Sequence, residues 1–232
     1  MAVNKEDQLR NELVKGAKKI YENGLNQNNE GNLSVRNGKK EEIFITPSAN
    51  QYDTLTSDQI VHINFDGTPL STGKLPSTEA VMHLAIYKAR PKVSSVIHTH
   101  STYATILSIV RKRIPIIMEE QVVYLGGSIE IAPHGEAGEK EIGEAALKGL
   151  GYRNGALLAS HGSIVCGRSI TQAVKNAELV EKFAKVYWGV LQVGEPVVFP
   201  EDKLVKFRTM FKRMFANCPR SMLKTLQTDE NL

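Results

Sequence analysis

Three short apolar runs, Leu33–Val35, Ile43–Thr46 and Ile60–Asn64, crowd into one stretch of the chain, punctuated by Asn37-Gly38 and Asp66-Gly67. Such dipeptides favour the positive-φ turns of hairpins, so these runs predict short antiparallel strands. The flanking sequence has a different period. Leu9, Leu13, Ala17 and Ile20 recur at helical spacing over Glu6–Tyr21, and Gly24 with the run Asn26–Asn29 ends that helix. Further helices are expected from about Thr78 to Ala89, from a Ser101 cap to about Val110, over Ala137–Leu150, and over Ile170–Val190. The last of these carries Ala173, Ala177, Val180, Ala184 and Tyr187 along one stripe. Val93–His98 reads as a strand, and Ala156–Ala159 and Ile164–Cys166 as two more joined at Ser160-His161-Gly162. Strands and helices therefore mix without strict βαβ alternation. The expected class is α/β, one domain with a largely antiparallel sheet covered by helices.

That domain is expected to run to about residue 200, with 201–232 forming a basic amphipathic helix and tail. Phe207, Met210, Phe211, Met214 and Phe215 follow i, i+3, i+4, i+7, i+8 spacing, with Arg208, Lys212 and Arg213 opposite. Basic residues continue from Lys203 and Lys206 to Arg220 and Lys224. The stripe is expected to pack on the sheet edge or on a neighbouring subunit.

Of the 232 residues, 41% are hydrophobic and 23% charged, ordinary globular usage that excludes a disordered or collagen-like chain. A net charge of +4 is mild and suits a small anionic substrate. The basic tail lacks the interleaved aromatic stacking platform and the fold motifs of nucleic-acid binders, so no nucleic-acid partner is expected. The start, MAVNKEDQLR, does not read as a signal peptide, and no run approaches the ~18 apolar residues of a membrane span. Cys166 and Cys218 are too few for a disulfide framework and read as small buried hydrophobes in a reducing compartment. A cytoplasmic protein with no membrane partner is expected.

Chemistry concentrates in Val96-Ile97-His98-Thr99-His100. Alternate strand residues share a face, so His98 and His100 point the same way and can chelate one metal. His161, at the end of an apolar run and before Gly162, offers a third imidazole. Three protein ligands with an open position is the pattern of catalytic zinc, although imidazole also suits cobalt or manganese. His62, His83 and His134 lack such a setting, and His83 reads as a packing or surface residue of its helix. In Gly73-Lys74-Leu75-Pro76-Ser77-Thr78-Glu79, Ser77 or Thr78 can cap the following helix, whose amino terminus suits a phosphate. Glu79 falls in its first turn. Asn29-Glu30-Gly31-Asn32-Leu33-Ser34 and Thr46-Pro47-Ser48-Ala49-Asn50 are turn-rich loops able to support an anion. Phosphate-binding glycine loops of the Walker and dinucleotide kinds are absent, as is a nucleophile elbow.

Taken in order, Gly31-Asn32-Leu33-Ser34, Ile45-Thr46-Pro47-Ser48, Gly73 to Glu79, His98-Thr99-His100, Arg113-Ile114-Pro115 and His161-Gly162 resemble the zinc-dependent class II sugar-phosphate aldolase, epimerase and adducin-head family. The pattern is nearest to its fuculose-1-phosphate aldolases, over about Glu6 to Leu191. The resemblance implies a three-layer α/β/α domain, a homotetramer with active sites at subunit interfaces, and one Zn²⁺ or other divalent metal per subunit. It implies His98, His100, His161 and Glu79 as ligands. The phosphate cradle maps onto Asn32, Ser48, Ala49, Ser77 and Thr78, with Ala49 in place of a common glycine and Thr78 of a common serine. Glu79 is implied as a proton carrier. The family's catalytic tyrosine position is held here by Glu119, which becomes the expected second acid–base group, with Tyr124 competing. The implied reaction is cleavage of a ketose 1-phosphate to dihydroxyacetone phosphate and an aldehyde. A methylthioribulose-1-phosphate dehydratase, a pentulose-phosphate 4-epimerase and a non-catalytic adducin-like interaction domain are the alternatives.

Overall fold

The computed structural model describes residues 4–38, 40–49 and 51–223; Asn50 and Lys224, named in the motifs above, lie outside the described residues. In chain order the elements are α1 (Lys5–Glu22), β1 (Asn32–Arg36), β2 (Glu42–Ile45), β3 (Val61–Asn64), α2 (Ala80–Ala89), β4 (Ser95–Thr99), α3 (Thr102–Ile109), β5 (Glu130–Ala132), α4 (Lys140–Leu150), β6 (Gly155–Leu158), β7 (Gly162–Gly167), α5 (Ile170–Val193) and α6 (Glu201–Met210). The strands form one seven-stranded sheet in the order β3-β2-β1-β4-β7-β6-β5. Every pairing is antiparallel except β5 with β6.

Period-2 alternation sorts the sheet's side chains between two cores. Leu33, Val35, Phe44, Ile97, Leu157 and Val165 meet α1, α3 and α5 on one face. Ile43, Ile45, Val96, Ala156, Leu158, Ile164 and Cys166 meet α2 and α4 on the other. A helix layer thus covers each face, giving the three-layer α/β/α arrangement expected. β1 and β4, buried along almost their whole length, sit mid-sheet. Their α2-facing positions are not all apolar: Asn32, Ser34 and His98 alternate with the hydrophobic set and are buried. Both cysteines are free and buried.

Three local expectations are corrected. The cap of α2 is Glu79, not Ser77 or Thr78; the Glu79 N–H donates to Ser77 Oγ at 3.3 Å, so that hydroxyl closes a turn one residue earlier. Ser101 occupies the cap of α3 but its hydroxyl makes no capping bond. Instead the Glu181 carboxylate, reaching across from α5, accepts the N–H groups of Tyr103 and Ala104 at 2.9 and 3.0 Å. The carboxy-terminal stripe divides, because α6 gives way to a π-helical turn at Phe211–Phe215 and the helical period is lost. Phe211 and Phe215 pack with Tyr152 and Cys218, Phe207 packs near Ile116 and Val122, and Met210 and Met214 stay exposed. Arg208, opposite the stripe by its spacing, is largely buried and grips Glu201 with Nε and Nη2.

Candidate metal centre

His98 stands mid-sheet on β4, opposite Asn32 of β1 and Ile164 of β7. His100 follows two residues on, beyond the strand end and on the same face. The β6–β7 turn brings His161 against them: the three ring centroids lie 4.7, 4.7 and 4.9 Å apart. Gly162 allows this approach, since a Cβ there would fall 2.3 Å from the carbonyl oxygen of Thr99. Gly31 does the same across the site. Its φ is +67°, and a Cβ would meet Asn26 and the His98 carbonyl. Glu79, at the amino end of α2, completes the group. Its Oε1 lies 3.1 Å from His161 Nε2 and its Oε2 3.4 Å from His98 Nε2. One nitrogen or oxygen from each of these four residues falls within 4.8 Å of all the others.

The donor set fits a divalent cation. His98 Nδ1 lies 2.8 Å from the Ser163 carbonyl, which can only accept, so Nδ1 carries the proton and the Nε2 lone pair faces inward. That Nε2 is 2.8 Å from His100 Nε2, a separation that needs a proton or a cation between the lone pairs. Glu79 Oε1 is buried with no well-aligned hydrogen bond, and its near neighbour is His161 Nε2 at 3.1 Å, as for oxygen and nitrogen that would share one cation. Burial opposes charge on Glu79, but His98, His161 and the Asn32 N–H outweigh it and hold the carboxyl well below its usual range. Burial pushes His98 below the ordinary imidazole range and His100 down to about 4. An ionised Glu79 beside His98 and His100, whose cationic forms burial disfavours, matches the ionisation state that a metal requires of its ligands.

The centre lies at one end of a cavity of about 210 Å³ whose lining includes Glu30, Asn32, Ser48, Ala49, Ser77, Thr78, Glu79, His100 and His161. All five expected cradle residues line it beside the histidines, but the Asn32 amide is engaged at both ends by Glu79 and His83, which corrects its expected place in the cradle and leaves Ser48, Ala49, Ser77 and Thr78. The two cradle loops are tied by the bridge between Pro47 and Pro76, by Ser48 N–H to the Leu75 carbonyl, and by Ser77 N–H to the Thr46 carbonyl. Ala49 adopts φ 54°, a left-handed conformation that accounts for glycine being common at such a place. Glu119 and Glu120 are exposed and do not line this cavity; Glu120 pairs with Lys182 at 2.8 Å. Tyr124 packs on Phe215, also away from it.

Sequence reasoning missed four supporting residues. The buried Asn26 accepts the His100 N–H, and Glu30 approaches His100 Nδ1 at 3.9 Å. Tyr52 donates its hydroxyl to the Gly31 carbonyl at 2.6 Å. His83, expected as a packing or surface residue, is fully buried and hydrogen-bonded at both ring nitrogens. Its signal was present: Glu79 and His83 are one helical turn apart and share a face.

Burial pushes the His83 imidazole down to about 3. An unfolded histidine titrates near 6.5, so between those values only the unfolded chain takes up this proton. Stability linked to His83 is thus intact above about pH 6.5 and lost as pH falls toward 3. The loss between pH 7 and pH 5 is expected to reach about 2 kcal/mol. Urea unfolding of wild type and His83→Gln at both values should show the wild type losing more stability on acidification; equal losses would contradict the assignment.

Comparison with known proteins gives concordant results. Residues 11–188 match the family described as Class II Aldolase and Adducin N-terminal domain. The 5-deoxy-D-ribulose 1-phosphate aldolase of Bacillus thuringiensis serovar kurstaki is 31% identical over 88% of this chain and 95% of its own length. The 5-methylthioribulose-1-phosphate/5-deoxyribulose-1-phosphate aldolase of Rhodospirillum rubrum is 36% identical over 88% of this chain and 91% of its own. A solved L-fuculose 1-phosphate aldolase superposes with a TM-score of 0.84 at 33% identity, covering 88% of this chain and 96% of that one.

Proposed function

The chain belongs to the class II aldolase and adducin N-terminal domain family, and on that premise we propose that it is a metal-dependent aldolase. The proposed reaction cleaves a ketose 1-phosphate to dihydroxyacetone phosphate and an aldehyde. The observation that carries this reading is the meeting of Glu79, His98, His100 and His161 beside a cavity walled by Ser48, Ala49, Ser77 and Thr78. An adducin-like binding module has no use for such a donor set.

In this reading the three imidazoles hold Zn²⁺ or another divalent ion, with Glu79 as the fourth ligand at rest. A metal bound there supplies a Lewis acid that draws electron density from the ketose oxygens. The hydroxyls of Ser48, Ser77 and Thr78 and the Ala49 N–H hold the phosphate, which fixes the carbonyl end of the substrate. The bond between C3 and C4 breaks, its electron pair stays on C3, and the C4 hydroxyl loses its proton to become the aldehyde. Glu79, a carboxylate at rest, would take up a proton from solvent and deliver it to C3; in the reverse direction it would remove that proton and return it to solvent. We assign the proton at the C4 hydroxyl to Glu119 from an adjacent subunit of a homotetramer. The exposure of Glu119 on its own chain and its place in the family pattern support this. Free buried cysteines suit the cytoplasm.

The relatives' substrates narrow the class. 5-Deoxyribulose, 5-methylthioribulose and fuculose 1-phosphates all lack a hydroxyl at the carbon farthest from the phosphate, so a substrate with an apolar terminus is proposed here. A panel of these three and ribulose 1-phosphate, assayed with metal-loaded protein for dihydroxyacetone phosphate, tests the reading. Release from at least one of the three in preference to ribulose 1-phosphate is expected. Release from none would overturn it.

A further inference from the structure

We propose that His83 is a positioning residue that fixes the orientation of the Asn32 side-chain amide and, through it, of Glu79. The inference rests on reading Glu79 as part of the metal centre. Five buried groups form one chain of hydrogen bonds. Asn32 Nδ2 lies 2.7 Å from Glu79 Oε2, and Asn32 Oδ1 lies 2.6 Å from His83 Nε2. His83 Nδ1 is 2.7 Å from Ser34 Oγ, which is in turn 2.8 Å from Tyr87 Oη.

The carboxylate at one end dictates the direction of every bond in it. An ionised carboxylate only accepts, so Asn32 must turn its NH₂ toward Glu79 and its carbonyl toward His83. That carbonyl also only accepts, so His83 carries its proton on Nε2 and donates it. Nδ1 is then the acceptor, Ser34 donates to it, and Tyr87 donates to Ser34. Only a group with a donor and an acceptor on opposite edges fits between Asn32 and Ser34, and neutral imidazole is such a group. His83 and Ser34 are wholly inaccessible to solvent, so water has no ready route to replace a lost partner.

Without the Nε2 donor the Asn32 amide has no reason to prefer this orientation. Rotated by half a turn, it would set its oxygen against the Glu79 carboxylate and repel it. Asn32 also stands directly opposite His98 across the β1–β4 pair, so one strand pairing sets both the imidazole and the amide that steadies the carboxylate. Supporting partners of this kind are commonly worth 10–100-fold in metal affinity.

The test compares His83→Gln with His83→Asn. The longer amide of glutamine can place an N–H near the Nε2 position, whereas asparagine reaches only the Nδ1 position. Zinc affinity of each full-length variant is measured by competition with a chromophoric chelator, beside its thermal midpoint and the kcat and KM of any turnover found. His83→Asn is expected to lose 10–100-fold in zinc affinity. His83→Gln should hold zinc near the wild-type level, with both midpoints similar. Wild-type affinity in both variants would overturn the inference, as would equal losses that track equal falls in midpoint. Should His83→Asn not fold, Ser34→Ala frees the imidazole from its other side and should lower affinity in the same direction; unchanged affinity there overturns the inference. His98→Ala separates the two readings. If it keeps its zinc, the metal centre itself is misplaced. If it loses zinc while His83→Asn does not, only the role of His83 fails.

Discussion

Glu79→Gln is expected to preserve the fold and the phosphate site while lowering kcat on the order of 10²–10⁴-fold, the range for a positioned acid–base group. The substitution keeps shape and removes both charge and proton. The Asn32 Nδ2 bond at 2.7 Å can persist to the remaining carbonyl oxygen. The new NH₂ would then face His161 in place of Oε1, which now sits 3.1 Å from His161 Nε2. Metal affinity should fall as well, because a neutral amide replaces the one anionic member of the set. The comparison therefore belongs at saturating metal, with inorganic phosphate binding as the check that the cradle is intact. Turnover near wild type under those conditions would remove Glu79 from the mechanism.

His98→Ala and His161→Ala are expected to lose nearly all bound metal. Removing a ligand should exceed the 10–100-fold typical of losing a supporting partner. The two differ in what else they cost. His98 is fully buried, with Nδ1 bonded to the Ser163 carbonyl, so alanine leaves a cavity and an unpaired carbonyl in the middle of the sheet. His161 lies on a turn with its side chain part exposed, so its loss should spare stability. Elemental analysis of the purified variants decides the matter. Full metal content in both would place the centre elsewhere.

The two variants also mark how much of this site was readable in advance. His98 and His100 were legible because period-2 alternation is a local rule, and the same rule sorts Ile97 and Val165 from Val96 and Ile164 between the two cores. His161 was legible only as an addition to that pair. That Ser48, Ala49, Ser77 and Thr78 would line one cavity was legible through the order of motifs along the chain rather than from any one loop. What escaped depends on distance along the sequence. His83 meets Asn32 and Ser34 from 51 and 49 residues away, and nothing in α2 announces a polar seam on β1. Glu181 caps α3 from 78 residues beyond Tyr103, taking the place that a local rule gave to Ser101. The aromatic stripe after Glu201 failed differently. Its spacing presumes an uninterrupted α-helix, and the π-helical turn at Phe211–Phe215 turns Met210 and Met214 outward.

Proton exchange on dihydroxyacetone phosphate alone reads the proposed chemistry without knowledge of the aldehyde. By microscopic reversibility, a chain that donates a proton to C3 during cleavage must also remove one from the same carbon of the product. Metal-loaded protein incubated with dihydroxyacetone phosphate in D₂O should exchange one hydroxymethyl hydrogen for deuterium, as followed by proton NMR. A chelator should abolish the exchange, and so should Glu79→Gln. An interaction domain has no reason to perform it; a dehydratase must remove the same C3 proton before the C4 hydroxyl leaves, and release of dihydroxyacetone phosphate from the ketose panel separates it from an aldolase. Failure of the folded, metal-loaded chain to exchange that hydrogen would contradict the account, as would exchange at full rate without the metal or without Glu79.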